Sequence, residues 1–74
     1  MNRLTLAVLM ALKEISVNDM GDILGTSPTT VSRYKMHPDN KGSMKIAKIH
    51  QRILTRRFGK EIELINELFT ITKI

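Results

Sequence analysis

There is no cysteine in this chain. That excludes disulfides, thiolate zinc sites and cysteine nucleophiles. Aromatic residues make up only 4%, so the core must be built from Leu, Ile, Val, Ala and five Met. Long apolar runs are missing as well. The uncharged stretch at residues 4–12 is about half of the ~18–20 residues that a membrane span needs. Arg3 before that run imitates a signal peptide, but Lys13 and Glu14 follow it with no small-x-small cleavage site. A cytoplasmic protein without a membrane span is therefore expected. Repeats, linkers and low-complexity tracts are also absent.

What is there is short and basic. Seventy-four residues make one domain. Such a chain buries only roughly 60% of its unfolded surface, which suits a binding module better than a two-lobed active-site cleft. The net charge is +5 and the pI is near 10.0. The charge is unevenly placed. Residues 1–31 carry a net −1 and residues 61–74 a net −2. Between them, nine Lys and Arg face Asp39 alone, a net +8 over residues 32–60. A concentrated positive field points to a polyanionic partner, although a solvated helix face produces the same pattern.

Apolar spacing and punctuation predict an almost wholly helical chain. Asn2 can cap a first helix reaching about Glu14. On a helical wheel, Leu4, Val8, Ala11, Leu12 and Ile15 share one face, and Leu6, Leu9 and Met10 the opposite one. The second face is expected to meet the C-terminal segment or another subunit. Ser16 and Asp19 form a capping box that starts a second helix ending at Gly25. Met20, Ile23 and Leu24 supply its buried stripe. Ser27 caps a third helix with Pro28 in its first turn, and Pro38 stops it. Residues 37–42 form a turn-rich loop.

Ser43 is predicted to cap a fourth helix. It would run to Phe58, with Gly59 as its left-handed terminator and Ile46, Ile49 and Ile53 on its buried side. Lys45, Lys48, Arg52 and Arg56 line one side of that helix, with Arg57 nearer the apolar side. Residues 60–68 read as a last short helix. From Phe69 to the end, apolar and polar residues alternate, which reads as a short strand or as a frayed helix end.

Residues 17–34 resemble the helix-turn-helix of the phage repressor Cro/C1-type (lambda repressor-like) family. Gly21 stands where that family places a small residue. Gly25 is the turn glycine four positions later, with Leu24 apolar before it. Val31 and Tyr34 fall on the two positions that pack the second helix against the first. The resemblance covers about residues 4–58 and is densest over 15–37. The sequence departs from the family at Val17, where a phosphate-binding Gln is common, and at Gly21, where Ala is usual.

The resemblance implies a compact all-α domain of four or five helices. It also implies that the start of the second helix of the motif enters the DNA major groove. Its positions fall on Ser27, Pro28, Thr29, Thr30 and Arg33, with Ser27 capping the helix and bonding a phosphate and Thr29 and Thr30 offering hydroxyl or methyl groups to base edges. Arg33 suits a guanine edge, the alternatives being a phosphate contact or a free surface Arg. Ser32 would face the backbone rim or solvent. Lys35, Lys41 and Lys45 would flank the groove and pair phosphates. Arg52 and Arg56 would lie further away, and Tyr34 would belong to the core.

The implied function is a sequence-specific transcriptional regulator, a Cro-like repressor binding a palindromic operator as a homodimer. Leu6/Leu9/Met10 and Phe69/Ile71/Ile74, within the C-terminal segment at 60–74, are the candidate dimer surfaces. Three other readings remain open: a short phage-type activator that contacts polymerase, a protein-binding anti-repressor or adaptor, and a nonspecific nucleic-acid binder. No enzyme, cofactor, metal or small-molecule effector is expected. His37 and His50 lack carboxylates at metal-site spacing, and no nucleophile elbow or phosphate loop occurs.

Overall fold

The first three predicted helix starts are built as their capping residues require. Asn2 Oδ1 accepts the Thr5 N–H at 2.9 Å, and Ser16 Oγ accepts that of Asp19 at 3.1 Å. Ser27 Oγ accepts that of Thr30 at 3.2 Å. Each cap satisfies an amide that has no partner inside its helix. The computed structural model describes residues 1–72. It is all-α, with helices α1 (Arg3–Leu12), α2 (Val17–Leu24), α3 (Pro28–Lys35) and α4 (Lys48–Thr72), and no strand among the described residues. No helix of the described residues is long and apolar enough to cross a membrane.

The core draws on every helix. Leu6, Leu9 and Met10 of α1 meet Met20 and Leu24 of α2, Val31 and Tyr34 of α3, and Leu54, Phe58, Ile62 and Ile65 of α4. This corrects one expectation. Leu6 and Leu9 are 0% exposed, so that face of α1 is core and not a dimer surface. The opposite face carries the exposed Leu4 and Leu12, while Val8 and Ile15 pack at the core's edge. The wheel shows two apolar faces, and only the arrival of α4 decides which is buried. The expected contact with the C-terminal segment is present. Thr5, itself buried, has its Oγ1 3.1 Å from Asn2 Oδ1 and 3.5 Å from Asn66 Oδ1.

The fourth helix begins later than predicted. Ser43 does not cap it, because residues 43–47 form a non-helical segment bonded to the end of α3. The Met44 N–H donates to the Arg33 carbonyl at 3.1 Å, and the Ala47 N–H donates to the Tyr34 phenol oxygen at 3.4 Å. Those bonds, with burial of Ile46, hold the strap out of helical geometry. The helical register therefore starts at Lys48. Leu54 takes the deepest position, and Ile49, expected inside, is exposed.

Gly59 does not terminate the helix either. The chain bends one residue earlier, at Phe58 (φ −125°, ψ 29°), and the helix continues as a second arm. The Phe58 ring is buried at the elbow, and the Arg57 guanidinium stands 5.8 Å from its centroid, which accounts for Arg57. Residues 69–72 are helical, correcting the strand reading there. A lone strand has no ladder partner, whereas a helix places Phe69 on the same stripe as Ile62 and Ile65, packed against the core. Ile74, one of the candidate interface residues, lies outside the described residues.

Candidate nucleic-acid interface

The α2–turn–α3 unit follows from three local features. Gly25 takes φ 71°, a conformation that costs other L-residues free energy. The Thr26 N–H donates back to the Gly21 carbonyl at 2.8 Å, closing the turn. Gly21 lets the following segment pass close by: a Cβ there would lie 2.7 Å from the Thr26 carbonyl oxygen. Leu24, Val31 and Tyr34 then fill the angle between the helices, all buried.

Tyr34 is 2% exposed and reaches further than the motif requires. Its hydroxyl lies 2.7 Å from His50 Nδ1, and the two rings meet edge to face with centroids 5.7 Å apart. With the Ala47 N–H on the same oxygen, α3 is pinned from its inner side to the start of α4. His50 is thus a positioning residue that the sequence did not flag. Sixteen residues separate it from Tyr34, and no local spacing connects them.

The outer side of α3 is left free. Ser27, Pro28, Thr29 and Arg33 are exposed, and Thr30, Ser32 and Lys35 are half-buried. Thr29 and Arg33 stand one helical turn apart on the same face. The Ser27 hydroxyl is engaged by its cap and lies 3.1 Å from Thr30 Oγ1. The Arg33 backbone carbonyl accepts from Met36 and Met44, which anchors the main chain beneath a side chain in solvent. Among the described residues, Lys13 pairs with Glu61 and His37 Nδ1 lies 3.5 Å from Asp39 Oδ2, so neither contact involves Arg33 or another predicted contact.

The remaining predicted contacts divide between two places. Lys41 is exposed in the loop after α3. That loop is closed by the Asn40 N–H on the His37 carbonyl and by the Gly42 N–H on Asn40 Oδ1. Lys45 instead lines a groove with Arg3 and Lys48, reached from the Tyr34–Met36 end of α3. Lys48, Arg52 and Arg56 share one side of α4 with Gln51 and Thr55. Among the described residues, no group of three His, Asp or Glu is placed to hold a metal. Compared with protein-family models, with curated proteins and with solved structures, the chain matches none of them.

Proposed function

We propose that this chain binds duplex DNA sequence-specifically through the outer face of α3 and regulates transcription as a homodimer. One observation carries the reading. Thr29 and Arg33 project from a short helix whose other side is locked by Val31 and Tyr34, at the head of the segment with net charge +8. An exposed Arg on a firmly held helix can fork onto guanine O6 and N7. Thr29 and Thr30 offer hydroxyl and methyl groups to neighbouring base edges. Pro28 and Ser27 set the helix start against the groove wall. Ser32, Lys35 and Lys41 flank it toward the phosphates, while Lys45 lies in the separate groove with Arg3 and Lys48.

One such helix reads only a few base pairs. Two-fold symmetry, with half-sites about 34 Å apart, is the usual way to lengthen the site. Selection of bound sequences from a random duplex pool tests the reading directly. A palindromic consensus supports it. Absence of salt-sensitive duplex binding refutes it and favours a protein-binding module instead.

Two substitutions sharpen the test. Arg33→Ala is expected to cost about 1–3 kcal/mol at one base position of each half-site, and little at the others. Competition binding against single-base operator variants reads this, and an equal loss on every duplex would assign Arg33 to phosphate. Lys41→Ala is expected to weaken all duplexes alike and to flatten the log–log salt slope by about 0.9 for each phosphate that Lys41 neutralises. A salt titration by fluorescence anisotropy that leaves the slope unchanged removes Lys41 from the interface.

A further inference from the structure

Two hollows on the side of the molecule formed by the α1 N-terminus and α4 have opposite character and a common border. The first, about 830 Å³, is lined by Arg3, Leu4, Met36, Met44, Lys45 and Lys48 among others, and contains no Asp or Glu. Three of the chain's five methionines border it. Met side chains adapt their shape to an incoming apolar surface. Leu4 and Met44 are substantially exposed there.

The second hollow runs along the distal arm of α4. Glu63, Glu67 and Ile71 line it, four residues apart along one row of the helix, and it contains no Lys or Arg. Leu64 and Ile71 are 61% and 64% exposed. The two hollows share Met1 and Gln51, whose side-chain Oε1 lies 3.3 Å from the Met1 nitrogen.

We infer that this surface is the dimer interface, with the acidic arm of one copy seated in the basic, methionine-lined groove of the other, twice over. An acidic amphipathic helix beside a basic apolar groove is self-complementary under a two-fold axis passing near Met1 and Gln51. The row of the partner's Glu63 and Glu67 meets Arg3, Lys45 and Lys48, and the partner's Ile71 meets the methionines. A symmetric α4–α4 contact would leave the groove empty and its three cations without counter-charges. The inference deepens the homodimer of the preceding reading, and its test uses no DNA.

The experiment is a charge-swap cycle on the full chain, read by sedimentation. Arg3→Glu with Lys48→Glu inverts the groove. Both positions are first residues of helices, where acidic side chains favour the helix dipole, so these changes should not unfold the chain. Glu63→Lys with Glu67→Lys inverts the exposed arm. The wild type is expected to sediment as a dimer and each double variant as a folded monomer, with unchanged helical circular dichroism. An equimolar mixture of the two variants is expected to return to dimer mass, because both junctions of the mixed dimer are again complementary.

A monomeric wild type at sub-millimolar concentration overturns the inference. So does a groove variant that stays dimeric, or a mixture that stays monomeric. Duplex binding, measured separately, decides the preceding reading: a dimer that assembles as described yet ignores DNA would sink that reading alone.

Discussion

Replacing Leu9 with alanine is expected to lower the thermal midpoint by roughly 8–40 °C. Leu9 is fully buried and belongs to the core cluster drawn from all four helices. Removing a buried leucine's outer carbons costs about 2–5 kcal/mol, the transfer term plus the cavity left behind. In a domain of this length each kcal/mol is worth roughly 4–8 °C. Total stability for such a chain is on the order of 4–11 kcal/mol, so one residue removes a large share. Leu12→Ala on the same helix is the control. Leu12 is 63% exposed, and such a surface change stays within about 0.5 kcal/mol. Equal losses at the two positions in a denaturation series would contradict the assignment of faces on α1.

The second large effect is at Gly21. A valine there is expected to destabilise the fold by about 2–3 kcal/mol, within the range for overpacking a filled site. The Cβ meets backbone, not a movable side chain: the Thr26 carbonyl oxygen at 2.7 Å, and Pro28 N and Ser27 C at 3.4 Å. Thr26 cannot simply retreat, because its own amide is bonded to Gly21.

Alanine at the same position gives the sharper sign. Helix propensity alone predicts a gain of about 1 kcal/mol over glycine. The close approach in this chain predicts a net loss instead. A higher melting temperature for Gly21→Ala would show that the turn yields by a few tenths of an ångström. The same variants should also weaken any binding that depends on the set of α3, since the turn fixes how far that helix projects.

The local chemistry of the motif was legible in the sequence. Asn2, Ser16 and Ser27 cap where their spacing predicts, because a cap is a bond to an amide two or three residues away. Gly25 ends α2 in the left-handed region, since only that residue among its neighbours lacks a Cβ. Val31 and Tyr34 point inward and Thr29 and Arg33 outward, because the helical repeat sets those directions once the ends of α3 are known. The candidate DNA-facing residues of α3 are therefore readable from the chain alone.

The tertiary structure decided what sequence periodicity could not. α1 carries apolar residues on both sides, so its pattern is ambiguous, and the docking of α4 chose Leu6, Leu9 and Met10. Ser43 is as good a cap as Ser16, yet the bonds of Met44 to Arg33 and of Ala47 to Tyr34 claim that segment first and move the helix start to Lys48. The alternation after Phe69 suits a strand as well as a helix, and packing of the half-buried Phe69 against the core goes with residues 69–72 as helix. The pairing of Tyr34 with His50, and the meeting of Arg3, Lys45 and Lys48 in one groove, join residues far apart in the chain. Bonds within one turn are written in the neighbouring letters. Contacts between turns exist only after the chain has closed on itself, and they decide which of two equally apolar faces is kept from water.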